Sequence, residues 1–225
     1  MKGKIIVIEG TDCSGKETQS KKLIERLNKE GIKTEYFSFP QYNTPTGRIV
    51  GGPYLGKSYI CECWFPEGAI NVDPKVASLY YAADRRYNVG KINEMLDNGI
   101  NVILDRYVYS NMAHQGGKLK DQNERFKMFE WLETLEFGLL ELPHADIKLF
   151  LHVPYEVSNE LKKSRTELPD QHEMSEEHLK NSEKAYLEIV GKYNFKKFEC
   201  NDGNKIRPIE DINNEIYNYI IDLLK

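Results

Sequence analysis

Five short segments rich in β-branched or aromatic residues recur along the chain, at residues 5–8, 33–39, 100–104, 147–153 and 195–200. Each is too short for a helix, so each predicts a strand. Residues 5–8, Ile-Ile-Val-Ile, are apolar without alternation, the pattern of a strand covered on both faces. Between these segments apolar residues fall at helical spacing. Leu23, Ile24 and Leu27 form one stripe, stopped by Gly31. Asp73-Pro74 is a helix start, and Val76, Leu79, Tyr80, Ala83 and Tyr87 are expected to form the core face of a long helix ending at Asn98-Gly99. Further helices are expected from Ser110 to the break at Gly116-Gly117, then around Phe126, Phe129, Leu132 and Leu135, over 156–163, over 176–193, and along Ile212, Ile216, Ile220 and Leu223. Strands alternating with helices imply an α/β domain built on a five-stranded parallel sheet with helices on both faces. Residues 47–50 open a short helix, and residues 51–73 are irregular. Their Tyr54, Tyr59, Trp64 and Phe65 make them too aromatic for a disordered linker, so they predict an ordered excursion at the rim of a site or an interface.

Candidate chemistry starts where the first strand ends. Gly10-Thr11-Asp12-Cys13-Ser14-Gly15-Lys16 has the spacing of a glycine-rich phosphate loop, with a strand before it and a helix after. Such a loop aims successive N–H groups into one concavity, and the helix N-terminus adds partial positive charge. Lys16 then belongs on the β- and γ-phosphates of a nucleotide. The next position, usually Ser or Thr for Mg²⁺, is Glu17, with Thr18 one place on. Glu17 either ligates the metal or repels the phosphates. Asp105 ends the third strand, the arrangement that sets a carboxylate beside Mg²⁺, and Arg106 beside it can fork onto a phosphate. In parallel sheets ligands sit beyond the carboxyl ends of the strands, where the loop, Phe39-Pro40 and Asp105-Arg106 all fall.

The totals narrow the field. At 225 residues the chain is expected to be a single domain with a sizeable core. A net charge of −4 argues against a dedicated nucleic-acid binder. Cys13, Cys61, Cys63 and Cys200 are scattered, which suits a reducing compartment better than a disulfide framework. With no basic leader and no long apolar run, a cytoplasmic protein that does not enter a membrane is expected.

Gly10-Thr11-Asp12-x-x-Gly15-Lys16, Phe39-Pro40, Leu79-Tyr80-Tyr81-Ala82-Ala83-Asp84-Arg85 and Asp105-Arg106-Tyr107-x-x-Ser110-Asn111-x-Ala113 come in the order and spacing of thymidylate (dTMP) kinases. The resemblance covers essentially the whole chain. It implies a P-loop NTPase fold, conversion of dTMP to dTDP with ATP and Mg²⁺, and a homodimer. Within one domain it implies a first unit over 1–38, an acceptor-binding segment over 39–99 with the insertion 51–73, and a lid over 161–173. By position, Asp12 resembles the loop acid that contacts the acceptor sugar and phosphate. Tyr81 resembles the aromatic that stacks on thymine, Arg85 the arginine at the base edge, and Arg106 the acceptor-phosphate arginine. Ser110 and Asn111 resemble the polar pair near the base, and His114 stands where relatives have a tyrosine beside the sugar 2′ carbon. The family's loop arginine is replaced by Cys13, so the lid must supply a cation, and Arg165 is the expected one because its planar fork suits a phosphoryl group. The arginine usually found after Phe-Pro is missing from Gln41-Tyr42-Asn43, with Arg48 as the expected substitute.

Two other readings stay open. One is a kinase of another nucleotide or a nucleoside. A nucleoside kinase needs a base at the end of its second strand, and Glu35 lies too early for that. The other is a nucleotide-binding protein without catalysis, for which Glu17 and the missing arginine speak.

Overall fold

The computed structural model describes residues 2–162 and 175–224. Five strands, β1 (Ile5–Gly10), β2 (Thr34–Ser38), β3 (Asn101–Asp105), β4 (Ile147–His152) and β5 (Lys196–Glu199), form one sheet in the order β2-β3-β1-β4-β5. Every neighbouring pair is parallel. The order puts β1 at the centre, so the loop that follows it opens between the ends of β3 and β4. Register aligns those ends, with Ile8 and Ser38 both beside Asp105 and Gly10 beside Leu151.

Strand alternation sorts the core into two layers. Ile6, Ile8, Ile103, Leu149 and Leu151 pack with Leu23, Leu27, Ile212 and Ile216, carried by α1 (Lys16–Lys29) and α8 (Ile209–Leu224). Val7, Val102, Leu104 and Phe150 pack against the opposite helices, α3 (Pro74–Asp97), α4 (Val108–Gly116), α5 (Gln122–Glu133) and α7 (Glu176–Lys192). Both faces are covered, which is why the central strands read as unbroken apolar runs. A third cluster lies outside the sheet. The segment after α2 (Pro45–Ile49) includes a π-turn over Val50–Tyr54 and a 3-10 turn over Ala69–Asn71. It buries Val50, Tyr54, Leu55, Ala69 and Val72 against Ala77 of α3. The excursion expected over 51–73 is thus a small core of its own. The chain continues through α6 (Tyr155–Lys162) and, after β5, a two-stranded hairpin of β6 (Asn201–Asp202) and β7 (Lys205–Ile206).

α3 begins as expected, with the Asp73 carboxylate accepting from the backbone N–H groups of Lys75 and Val76. Its buried face is not the expected one. Val76, Leu79, Ala83 and Tyr87 are exposed, while Ala82, Asp84, Arg85 and Asn88 are buried. The polar face turns inward because it has partners there. Asp84 accepts from Gln41 N at 2.8 Å, from Thr46 Oγ1 at 2.8 Å and from Asn88 Nδ2 at 3.0 Å. Among the described residues, no helix is long and apolar enough to cross a membrane.

Candidate active site

The loop between β1 and α1 is shaped by contacts a larger residue would break. A Cβ on Gly10 would lie 2.5 Å from Leu151 O, and Gly15 takes φ 78° at the N-cap of α1. Cys13, at φ 60°, holds the same left-handed conformation without being glycine, the kind of strain that collects at functional sites. Thr11 Oγ1 bonds both Val153 O at 2.7 Å and Val153 N at 2.9 Å, tying the loop to the end of β4. Lys16 Nζ donates to Gly10 O at 3.0 Å and Thr11 O at 2.9 Å. Burial, with Arg106 adding repulsion, lowers its pKa to about 8. Ser14 Oγ is buried without a partner among the described residues. An unpaired donor beside a lysine in a loop of converging amides fits an oxyanion. Beside it, Cys13, Ser14, Gly15 and Thr18 face Ile206, Ile209 and Ile212 across a depression of about 750 Å³ with its open mouth included.

Glu17 is exposed and pairs with Lys21 at 2.5 Å, one helical turn along α1. Asp105 is buried at the end of β3, where its Oδ2 accepts from the Tyr36 hydroxyl at 2.9 Å. Burial first, then the Asp105 charge, pushes the Tyr36 pKa up, so that hydroxyl stays a donor. The Asp105 charge also acts on Lys16, and a carboxylate there, a hard oxygen donor, suits a divalent cation.

A second space, about 610 Å³ with its mouth included, opens between the ends of β1, β2 and β3. Asp12 and Arg106 both line it, 3.3 Å apart, so the acid of the phosphate loop meets the β3 arginine in its wall. Arg106 takes φ 68°, and its Nη1 reaches His114 Nε2 at 3.3 Å. His114 stacks on His178, and burial with the Arg106 charge keeps its pKa well below the usual imidazole value. Behind them lies Glu9, fully buried at the end of β1. It accepts from Tyr107 N at 2.8 Å, Ser110 N at 3.0 Å, Ser110 Oγ at 2.5 Å and the Tyr186 hydroxyl at 3.2 Å. α4 has no cap from its own N-terminal residue, and the carboxylate of Glu9 serves instead. Burial raises the Glu9 pKa, against the pull of those donors.

At the far end, Tyr81 meets Tyr54 edge to face at 5.7 Å. Arg85 is buried with Nε and Nη2 both on Glu136, the latter at 2.6 Å, and Asn111 Nδ2 reaches the same carboxylate at 3.1 Å. Gln115 is fully buried in the wall of this cavity, and both its amide atoms lack partners.

One cavity therefore brings together Asp12, Phe39, Pro40, Tyr81, Arg85, Arg106, Ser110, Asn111 and His114, residues drawn from four separate motifs and their flank. Arg48 is the exception. Gly47 is the buried residue of α2, and the next side chain, about 100° round the helix, faces solvent away from the cavity. Arg165 lies outside the described residues, as does most of the expected lid. The sequence reading missed Glu9, Glu136 and Gln115. Glu9 could have been noticed as an acid closing an apolar strand run, and Gln115 as a polar residue beside His114. Glu136 carried no local signal.

A thymidylate kinase family model matches residues 8–216. The chain is 30% identical over 188 residues to a thymidylate kinase of Schizosaccharomyces pombe, across 84% of this chain and 79% of that one. It is 33% identical over 152 residues to human thymidylate kinase, a match spanning 68% of this chain and 62% of the human protein. Over 216 residues, 96% of this chain and 83% of the relative, it is 29% identical to a thymidylate kinase of Dictyostelium discoideum. Among solved structures, that of a thymidylate kinase from Candida albicans shares the fold, with a TM-score of 0.76 at 23% identity, covering 99% of this chain and 92% of that chain.

Proposed function

The chain belongs to the thymidylate kinase family, and from that premise we propose that it transfers the γ-phosphoryl group of ATP to dTMP, giving dTDP and ADP. The observation that carries this reading is the 3.3 Å pair of Asp12 and Arg106, where the phosphate loop meets the acceptor cavity. Phosphoryl transfer needs little covalent help from a protein. It needs donor and acceptor held in line and negative charge neutralised. Lys16 exchanges its bonds to Gly10 and Thr11 carbonyls for the donor phosphates. Arg106 holds the acceptor phosphate, and Asp12 keeps that arginine aimed at the junction. Tyr81 stacks on the base, Arg85, Asn111 and Gln115 read its polar edge, and His114 borders the sugar, where an imidazole screens a 2′-hydroxyl less strictly than a larger ring.

Mg²⁺ would be held by Asp105, with Glu17 joining once it leaves Lys21, and would supply charge neutralisation on the phosphates. Arg165 is the proposed lid cation. Its change to alanine should lower kcat far more than it weakens ATP binding, and an unchanged kcat would remove that assignment. A homodimer is supported by the apolar stripe that α3 leaves exposed, with Leu79 50% and Tyr87 60% accessible. The scattered cysteines support a cytoplasmic setting.

The test is ADP release measured with dTMP, dUMP, dCMP and dGMP, with and without Mg²⁺. Turnover with dTMP that requires Mg²⁺ is expected. Nucleotide binding without transfer to any monophosphate would leave a binding protein of the same fold.

A further inference from the structure

Glu136 lies on a π-turn over Thr134–Leu139 that continues α5, and it is the turn's buried residue. Widened turns of this kind recur at functional sites, where they redirect one side chain. Here the redirected carboxylate meets two helices at once. It takes Nε and Nη2 of Arg85 from α3 and Nδ2 of Asn111 from α4, the last at 3.1 Å. Asn111 Nδ2 also reaches Ser78 O at 3.4 Å. An ionised carboxylate only accepts, so it dictates which end of each partner faces it. Arg85 must turn Nε and Nη2 toward Glu136, which leaves Nη1 for the cavity it lines. Asn111 must turn its amino group the same way. That leaves Oδ1, which is buried without a partner among the described residues.

We propose that Glu136 is a positioning residue that sets the polarity of base recognition, aiming the Arg85 donors and turning Asn111 so that it faces the acceptor cavity as an acceptor. The inference rests on the dTMP reading above and adds the device behind base selection. A donor beside an acceptor complements the imide edge of thymine or uracil, a carbonyl next to an N–H. Cytosine reverses both atoms, presenting an amino group next to a bare ring nitrogen. Without the carboxylate the Asn111 amide is free to turn over, since its two ends are nearly the same shape. Arg85 would also lose the counter-charge that makes its burial tolerable.

The experiment compares kcat/KM for dTMP, dUMP and dCMP in the unmodified enzyme, in Glu136→Gln, and in each of these with Asn111→Ala added. The unmodified enzyme should accept dTMP and dUMP and discriminate against dCMP. Glu136→Gln presents an amide that can donate to Asn111, and should narrow the dTMP to dCMP ratio about tenfold, the scale of one lost buried hydrogen bond. The change should appear in KM for the acceptor and not in KM for ATP. In the Asn111→Ala background the same substitution should leave the ratio nearly unmoved, because the amide whose orientation it sets is gone while Arg85 stays a donor either way. Should Glu136→Gln not fold, Glu136→Asp keeps the charge and withdraws it by one methylene, and should raise KM for dTMP alone. Transfer to dTMP with a ratio that no Glu136 variant moves, alongside a lowered Tm, would reduce Glu136 to a structural ion-pair partner and overturn the proposal by itself. No transfer to any of the three by the unmodified enzyme would overturn the family reading, and the proposal with it.

Discussion

Glu9 has four donors to satisfy it, yet it sits where water does not reach. Its change to glutamine would replace one acceptor oxygen by an NH₂, which the Tyr107 and Ser110 amides cannot receive and which the two hydroxyls can receive only by giving up their own donation. A loss of about 1–3 kcal/mol is expected, the cost of leaving a buried donor unpaired, measured by denaturant unfolding. Lys16 yields a prediction in pH. Its pKa in the folded protein lies near 8, below the ordinary lysine value, so it loses its charge as pH rises through 8 while exposed lysines keep theirs. KM for ATP should therefore climb above pH 8, and Lys16→Met should flatten that profile. The same depression works oppositely on stability, because the unfolded chain holds this proton more tightly, and this contribution improves as pH rises from 8 toward 10.5. The residues of the phosphate loop and the β3 arginine were legible because their chemistry is local in sequence. Glu136 was not, because its partner Arg85 lies 51 positions away and no spacing rule joins them.

At the scale of elements, the excursion between α2 and α3 is held by few groups, and each should matter. The Tyr54 ring contacts Phe65, Tyr80 and Tyr81, and its hydroxyl donates to Ala69 O at 3.1 Å. Lys118, from the α4–α5 connection, donates to Ala69 O at 3.0 Å and Val72 O at 2.9 Å. Tyr54→Ala should cost about 3 kcal/mol, the usual figure for a fully buried aromatic, and raise KM for dTMP because Tyr81 loses its supporting ring. Calorimetry and acceptor kinetics on one variant would check both. Strand and helix positions were readable from periodicity, since most elements bury one apolar face. α3 defeated that reasoning. Val76, Leu79, Ala83 and Tyr87 form a surface and Asp84, Arg85 and Asn88 are buried, although Val89, Ile92 and Leu96 further along are core. In the first half of the helix, then, the rule that apolar means inside pointed to the wrong side.

At the scale of the molecule, the homodimer proposed on the outward stripe of α3 predicts a dimeric mass for the unmodified chain and a folded monomer for Leu79→Glu combined with Tyr87→Lys. Light scattering at matched concentration reads this directly, and an unchanged mass would place the contact elsewhere. A second global prediction concerns pH. His152 bonds Glu183 at 2.9 Å and Glu199 at 2.7 Å, and these partners, Glu183 foremost, raise its pKa above 6.5. The stabilisation is complete below pH 6.5 and fades as pH rises through the raised value, so His152→Gln should lose Tm at pH 6 and little at pH 9.

The position of Glu9 has a consequence for anyone rebuilding this protein. The strand that delivers the phosphate cradle ends in the side chain that caps the acceptor helix, so the two halves of the cleft are fastened to a single rod. A cradle transplanted from another kinase without its preceding acid would arrive with the wrong reach to its substrate. Any tilt of that rod would carry both reactants together and leave the distance between them nearly unchanged.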